Sequence, residues 1–143
     1  MRNLVITETD NFEYLKRDEK KLIIAFFHAS WCGPCRALTH TLEGIDAQFD
    51  DVTLVHIDID DAHDLVEGYN IRAVPTLIFI KNNYIVGRTS GALSSDVLIN
   101  KINELKFNNQ MFEFIDIAKL AIKLIKNNEN IEKMPKIRYN NNI

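Results

Sequence analysis

The sequence has only two cysteines, Cys32 and Cys35, in 143 residues. Two cysteines cannot form the disulfide framework that holds small secreted domains together. A chain of this length buries roughly two-thirds of its unfolded surface and does not need such bonds to be stable. We therefore expect one hydrophobic core and cysteines that remain available for chemistry.

The sequence also lacks a long apolar run. Its first twenty residues contain no hydrophobic core of a signal peptide. No segment approaches the roughly 20 apolar residues of a transmembrane helix. We therefore expect a cytoplasmic protein without a membrane partner.

Positive charge is not in excess. The chain has 17 Lys and Arg residues against 20 Asp and Glu residues, a net charge of −3, and its basic residues are scattered. Proteins that bind the phosphate backbone of nucleic acids gather basic residues into a patch or stripe. No nucleic-acid partner is therefore expected.

Two apolar segments indicate a βαβ unit. Residues 22–27 form a continuous apolar run of strand length, and residues 52–59 form a β-branched segment that ends in acidic residues. Between them, apolar residues at spacings of four, three and four predict a helix over about residues 33–49, with an inner face made of Leu38, Leu42, Ile45 and Phe49. The two strands should be parallel, because a crossover helix joins them.

The remaining pattern completes an α/β domain over residues 1–107. Asn82 and Asn83 separate the strand candidates 76–81 and 84–88, and asparagine tolerates the left-handed backbone of a tight turn, so an antiparallel hairpin is predicted. Further elements are predicted from periodicity and capping residues: a strand at 4–7, a first helix capped by Thr9 or Asp10, a short helix within 62–69 and a last helix capped near Ser94.

Residues 108–143 differ in composition and are predicted to form a C-terminal helical extension. A helix is expected over about residues 110–127, followed by a mobile polar tail. That helix is apolar around most of its circumference, so it has to bury this surface on its own domain, on a second copy or on a partner. Its polar residues form one narrow stripe: Glu113, Asp116, Lys119, Lys123 and Lys126. We expect a monomer, with a dimer through the extension as the alternative.

The residues that carry chemistry are Trp31-Cys32-Gly33-Pro34-Cys35, which follow the first apolar strand and open the helix. The N–H groups and partial positive charge of a helix N-terminus favour a thiolate at the first sulfur. Cys32 is therefore predicted as the nucleophile and Cys35, one turn further along, as the resolving thiol. Pro34 suits a first helical turn and Gly33 adds no side chain beside the sulfur. The redox group is then the cysteine pair itself, and no cofactor is expected.

Cys-x-x-Cys spacing also occurs in one half of a zinc site. The missing ligands would have to come from histidines that lack the usual paired spacing: His28, His40, His56 and His63. A structural disulfide between residues so close in sequence closes a very small loop and stabilises little. We therefore expect no metal, and we expect His40, His56 and His63 at the surface.

The pentapeptide resembles the active site of the thioredoxin family. The resemblance covers residues 1 to about 107 and includes Phe26-Phe27-His28-Ala29, Arg72-Ala73-Val74-Pro75-Thr76 and Gly91-Ala92-Leu93. It implies a thioredoxin fold, a central mixed β-sheet flanked by helices, with Pro75 in cis against the cysteine pair. It also implies that Val74 binds an extended substrate segment through its backbone, that Gly91 keeps the neighbouring groove open and that Trp31 shields the disulfide.

Some positions depart from the family pattern. Phe26 stands where thioredoxins usually carry a buried aspartate that accepts the proton of the resolving cysteine, so Cys35 is expected to lose its proton less readily. A common tryptophan is replaced by His28, a frequent lysine by His56, and a helix-kinking proline by His40.

The resemblance implies a thiol–disulfide oxidoreductase that reduces protein disulfides and is recharged by thioredoxin reductase or an equivalent donor. Gly-Pro between the cysteines is similar to the reducing members of the superfamily. One alternative is a binding module with weak redox activity that docks a partner through the extension. Another is an oxidase or isomerase of an oxidising compartment, which the expected cytoplasmic location disfavours.

Overall fold

The computed structural model describes the backbone of residues 1–107 and 109–127 and the side chains of residues 1–107 and 117–127. Within these residues one sheet is formed by five strands: β1 (Arg2–Val5), β2 (Leu22–His28), β3 (Val52–Asp58), β4 (Thr76–Lys81) and β5 (Tyr84–Ser90). The helices are α1 (Thr9–Asp18), α2 (Gly33–Ile45), α3 (His63–Gly68), α4 (Ser95–Phe107) and α5 (Asn109–Lys126).

The sheet is mixed and has the strand order β1-β3-β2-β4-β5. β1 and β2 both run parallel to β3, whereas β4 is antiparallel to β2 and β5 is antiparallel to β4. Phe27, near the end of β2, pairs with Thr76 at the start of β4. The segment after β2 and the segment before β4 therefore meet at one edge of the sheet, which brings the cysteine motif close to Val74 and Pro75.

The core lies on both faces of the sheet, because successive strand residues point to opposite sides. One face packs inward-facing residues of α2 and α4 against Leu22, Ile24, Phe26, Leu54, Leu77 and Phe79. The other face packs α1 and α3 against Ile23, Ala25, Phe27, Val55, Ile57, Ile78 and Ile80. The predicted fold, a mixed sheet flanked by helices, is confirmed.

The structure confirms the tight turn of the predicted hairpin. Asn82 has a φ of 51° and Asn83 a φ of 68°, so both occupy the left-handed region that a tight turn between antiparallel strands requires. The start of α4 is also as predicted, since the Ser94 hydroxyl accepts a hydrogen bond from the backbone N–H of Val97 at 3.4 Å.

Several predicted boundaries were wrong. The first strand spans Arg2–Val5 instead of residues 4–7. Within residues 1–107 no side chain caps α1; Glu8 occupies the N-cap, and Thr9 is already helical. The helix that carries Cys35 ends at Ile45 and continues as a 3-10 helix over Asp46–Gln48, a tighter turn that satisfies carbonyls at a helix end. Phe49 is nevertheless buried, as the periodicity predicted.

By its contacts the chain divides into two compact units, Met1–Leu105 and Lys106–Ile143. The sequence-based boundary at residue 107 falls at the end of α4, which crosses this division. In the second unit α5 occupies nearly the predicted range; Leu124 is buried, and Ile122 and Ile125 are exposed. The tail predicted for residues 128–143 lies outside the described residues. Among the helices that are described, none combines the length and hydrophobicity needed to span a membrane.

Candidate active site

The two cysteines lie at the N-terminus of α2 and are joined by a disulfide bond. Cys32 is the N-cap residue, with an extended backbone, and Cys35 lies in the first turn. Their Cα atoms are 5.2 Å apart, within the range of ordinary disulfides. Gly33 begins the helix and Pro34 follows it, in a turn whose N–H groups have no helical acceptor. The predicted placement of the motif on a helix N-terminus is confirmed.

The sulfur of Cys32 takes the place of a capping oxygen. The backbone N–H of Cys35 donates a hydrogen bond to Cys32 Sγ, with 3.2 Å between nitrogen and sulfur. In the dithiol state the same N–H and the positive end of the helix dipole would favour a negative charge on this sulfur.

The segment before β4 lies against the same sulfur. Cys32 Sγ is 3.8 Å from the carbonyl oxygen of Val74. In the disulfide this sulfur carries no hydrogen to donate, so the two atoms are in contact without a hydrogen bond. The peptide bond between Val74 and Pro75 is cis, as the resemblance implied. The Gly91 N–H donates to the Pro75 carbonyl at 2.9 Å, which ties this segment to the residue after β5.

Gly91 has a backbone conformation that favours glycine. Its φ is +87°, in the left-handed region that side-chain-bearing residues rarely adopt. Apart from its two chain neighbours, none of the described residues has a heavy atom within 4 Å of the position that a Cβ would occupy. The space beside this turn is therefore open.

Trp31 lies at the surface beside the disulfide, with 65% of its area exposed. Its indole N–H donates to Asp60 Oδ2 at 3.1 Å, and the Asp60 N–H donates to Asp58 Oδ1 at 2.9 Å. Sequence reasoning missed this role for Asp60. The available signal was the acidic end of the segment 52–59, which becomes the end of β3 and the turn after it.

The cysteines are surrounded by apolar groups. Cys32 is 6% exposed and Cys35 is 2% exposed, and both pack with Ala29 and with the partly buried Ile59 and Val74. Both residues are therefore buried, and Cys32 is the more exposed of the two.

A cluster of rings lies under α2. Phe26 is fully buried, and its ring centroid is 4.9 Å from that of His28 and 6.0 Å from that of His56. His56 was predicted at the surface; it is partly buried, and its Nε2 lies 2.9 Å from Asn3 Oδ1. It points to the packed face because it pairs with Phe26 across β2 and β3. His40 and His63 are exposed, as predicted.

Both histidines of this cluster are held towards their neutral form. Burial lowers the pKa of His28, and the charge of Asp58 partly opposes it. Burial also lowers the pKa of His56; His28 adds to this shift, whereas Asp46 and Glu43 oppose it. The two imidazole centroids are 6.1 Å apart, so protonation of one disfavours protonation of the other.

The lowered pKa values of His28 and His56 predict that the fold becomes less stable on mild acidification. A histidine whose pKa is lower in the folded state binds fewer protons there than in the unfolded chain. Its contribution to stability is therefore fully present above the pKa of the unfolded chain, about 6.5, and is lost as the pH falls towards the lower pKa of the folded state. We expect the free energy of unfolding in urea to decrease between about pH 7.5 and about pH 5.5. The double variant His28→Gln/His56→Gln should show a smaller decrease.

The matched control is His40→Gln/His63→Gln, which also removes two histidines but at exposed positions outside the ring cluster. Glu13, Glu19 and Asp46 also have a lowered pKa, but they titrate below this pH range and do not contribute within it. An unchanged pH dependence in the His28→Gln/His56→Gln variant would contradict the assignment.

Within the described part of the chain, no group of three or more His, Cys, Asp or Glu side chains is arranged to hold a metal ion. The Cys32–Cys35 pair is a reactive group in its own right, since a disulfide can exchange with thiols. A disulfide that starts a helix, beside a cis X-Pro bond and on a mixed sheet of this order, defines a thioredoxin-type disulfide oxidoreductase.

Comparison with known proteins agrees with this class. Residues 3–104 match the model of the thioredoxin family. Thioredoxin H2 of Arabidopsis thaliana is 33% identical over 90 residues, which are 63% of this chain and 67% of that protein. The reduced thioredoxin pre-protein of Schistosoma mansoni has a TM-score of 0.64 at 30% identity, and the match covers 73% of this chain and 98% of that one. The chain belongs to the thioredoxin family.

A peptide-N(4)-(N-acetyl-beta-glucosaminyl)asparagine amidase of Caenorhabditis elegans is also similar, with 38% identity over 89 residues. These residues are 62% of this chain but 14% of that protein. The likeness therefore concerns one domain of a much longer enzyme. The C-terminal extension lies beyond the residues that match the family.

Proposed function

We propose that this chain reduces disulfide bonds in other proteins, with Cys32 as the attacking thiolate and Cys35 as the resolving thiol. The observation that carries the proposal is the hydrogen bond from the Cys35 N–H to Cys32 Sγ at the start of α2. It favours charge on one sulfur of the pair and leaves the other buried beside it. Attack requires a thiolate, so this asymmetry assigns the two roles.

The chemical cycle balances without a cofactor. The Cys32 thiolate attacks one sulfur of the substrate disulfide, and the other sulfur leaves as a thiolate that takes up a proton. The Cys35 thiol then loses its proton and attacks Cys32 Sγ, which releases the substrate as a dithiol and forms the Cys32–Cys35 disulfide. Two electrons pass to the substrate. The disulfide seen in the structure is the product of this cycle.

Substrate binding is proposed for the groove formed by Val74, Pro75 and Gly91. An extended polypeptide that pairs with the Val74 backbone would pass next to Cys32 Sγ, since the Val74 carbonyl oxygen is 3.8 Å from this sulfur. The open space at Gly91 leaves room for such a segment. The other side of the sulfur is proposed to be shielded by Trp31, whose indole N–H donates to Asp60.

The electron donor proposed is a thioredoxin reductase or an equivalent dithiol donor, because each turnover leaves the cysteine pair oxidised. We place the reaction in the cytoplasm and assign the chain a monomeric state. Gly33 and Pro34 between the cysteines support a reducing role. A measured potential of the pair well above that of cytosolic glutathione would favour an oxidase instead.

Reduction of insulin by dithiothreitol tests the proposal. We expect the wild-type chain to accelerate this reaction about tenfold or more, because it supplies a preformed nucleophile and an adjacent resolving thiol. The matched control is Cys32→Ser/Cys35→Ser, which changes one atom in each buried side chain and should be inactive. Wild-type turnover no faster than that of this control would refute the proposed function.

A second candidate function is a binding module that docks a partner through the extension. It is favoured by Ile122 and Ile125 of α5, which are 53% and 64% exposed. Under this alternative the chain binds its partner equally well with and without the cysteines and turns over insulin only weakly. The insulin assay therefore separates the two functions.

A further inference from the structure

Arg88 joins β5 to the end of α3. Its Nη1 donates to the Tyr69 carbonyl at 2.8 Å, and its Nη2 donates to the Asn70 carbonyl at 2.7 Å. Arg88 pairs with Ile78 across β4 and β5, and Ile78 belongs to the core on the α1 and α3 side of the sheet. Cross-strand partners point to the same face, so the position of Arg88 in the ladder directs its side chain towards α3.

The carbonyls that Arg88 binds belong to a helix end of defined geometry. Asn70 has a φ of 53°, its N–H donates to the Glu67 carbonyl, and the Ile71 N–H donates to the Val66 carbonyl. This is the Schellman arrangement, in which one left-handed residue closes the helix. The carbonyls that follow have no helical partner and lie at the negative end of the helix dipole. The Arg88 guanidinium donates one hydrogen bond to each of these two carbonyls, and its positive charge is favourable at the negative end of the helix dipole.

The chain leaves this helix end and leads directly to the proposed substrate-binding residues. Ile71 to Val74 connect Asn70 to Pro75. The far end of the connection is held by the Thr76 hydroxyl, which donates to the Ala73 carbonyl at 2.6 Å, and by the Gly91 N–H, which donates to the Pro75 carbonyl. Arg88 holds the near end. Thus β5 and the residue after it fasten both ends of the loop that places Val74 against Cys32 Sγ.

We propose that Arg88 is a positioning residue for protein substrates: it fixes the loop before Pro75 so that the Val74 backbone is already in place when a polypeptide binds. This role rests on the proposed function, because Val74 matters only if it pairs with a polypeptide disulfide. A loop that is ordered in advance costs no conformational entropy on binding. Lysine cannot replace the arginine fully, since a single ammonium does not present two parallel donors to neighbouring carbonyls.

Steady-state reduction of insulin by Arg88→Met, with dithiothreitol as the electron source, tests this role. We expect KM for insulin to rise about three- to tenfold and kcat to stay within about twofold, because the loop has to be ordered at each binding event. Reaction of the reduced protein with a small aromatic disulfide, 5,5′-dithiobis(2-nitrobenzoate), should change by less than about twofold, since this probe needs no strand pairing. Arg88→Lys should have an intermediate KM.

The matched control is Arg17→Met. Arg17 is an exposed arginine of α1 for which the described part of the chain shows no hydrogen bond to a carbonyl, and its replacement should leave KM unchanged. Urea unfolding of each variant should show that Arg88→Met remains folded under the assay conditions, as expected for an exposed side chain on an edge strand.

The outcomes separate this role from the proposed function. If the wild-type chain reacts with the small disulfide but does not turn over insulin, the proposed function fails and the role of Arg88 fails with it. If the wild-type chain turns over insulin and Arg88→Met has the same KM, only the role of Arg88 is refuted. If Arg88→Met lowers kcat for insulin and the rate of reaction with the small disulfide by the same factor, the role of Arg88 is also refuted. The substitution would then have changed the reactivity of the cysteines and not the binding of the polypeptide.

Discussion

Cys32→Ser is expected to abolish disulfide reduction, whereas Cys35→Ser is expected to leave the first chemical step intact and to stop the cycle there. A serine hydroxyl without an activating base is a very weak nucleophile, so Cys32→Ser should lower insulin turnover by about a thousandfold or more. In Cys35→Ser the hydrogen bond to Cys32 Sγ remains, because its donor is the backbone N–H of residue 35. The Cys32 thiolate should therefore still attack.

Mass spectrometry of the two variants after incubation with a disulfide substrate measures this difference. Cys35→Ser should accumulate a covalent adduct through Cys32 that dithiothreitol reverses, because no neighbouring thiol releases it. Cys32→Ser should remain unmodified, since Cys35 is 2% exposed and lies inside the first turn of α2. Adducts that form at equal rates in both variants would show that the sulfurs are equivalent and would contradict the assigned roles. The same trap would identify the protein substrates.

The parts of this structure that could be predicted are those set by local sequence. The spacing of Leu38, Leu42 and Ile45 predicts the helix face that packs on the sheet, and all three are buried. Asn82 and Asn83 predict the hairpin, because few other residues adopt two consecutive left-handed conformations. The placement of the cysteines at a helix N-terminus follows from an apolar strand before them and an amphipathic helix after them. Each of these depends on residues that are neighbours in the chain.

The parts that could not be predicted are set by contacts between distant residues. The Arg88 guanidinium and the carbonyls of Tyr69 and Asn70 meet only because β5 folds back along β4. The hydrogen bond from Trp31 to Asp60 spans two loops that the parallel pairing of β2 and β3 brings together. Strand order is likewise invisible to periodicity, because every core strand of a sheet covered on both faces looks continuously apolar.

His56 shows why burial at single positions is hard to read from sequence. A polar residue in a β-branched strand is normally placed on the solvent side. In this sheet β3 lies between β1 and β2 and is covered on both faces, so the side chain of His56 is partly buried and packs against Phe26. Its hydrogen bond to Asn3 on the neighbouring β1 makes this burial tolerable.

Phe26→Asp should strongly destabilise the fold. Phe26 is fully buried between the sheet and α2, and truncation of a buried phenylalanine costs roughly 3–5 kcal/mol. A carboxyl group at this position adds the cost of removing a polar group from water. Phe26→Leu is the matched control: it keeps most of the apolar volume and should lose less than about 2 kcal/mol in urea unfolding.

The free energy of unfolding of Phe26→Asp should change with pH in the opposite direction to that of the wild type. Burial raises the pKa of a carboxyl group, and a nearby carboxylate raises the pKa of His28 and His56. Groups whose pKa is raised in the folded state contribute stability that is complete at low pH and is lost as the pH rises through the folded value. Phe26→Asp should therefore be less unstable at about pH 5.5 than at about pH 7.5, whereas the wild type and Phe26→Leu show the reverse. The same sign in all three proteins would contradict the ring cluster as the source of the effect.

The substitution should at the same time accelerate the second half of the proposed cycle. Phe26 lies under the face of α2 that carries Cys35 and Leu38, so a carboxylate there would take up the proton that Cys35 loses when it attacks the mixed disulfide. General-base assistance of this kind should raise the rate of release from Cys32 about tenfold or more, measured in a single turnover at a pH where the variant is folded. Phe26→Asn has the same shape and polarity without a proton acceptor of that strength, and it should destabilise the fold without accelerating release. Equal release rates in Phe26→Asp and Phe26→Asn would show that proton removal from Cys35 does not limit the reaction. Phe26 would then affect the stability of the fold but not the rate of release.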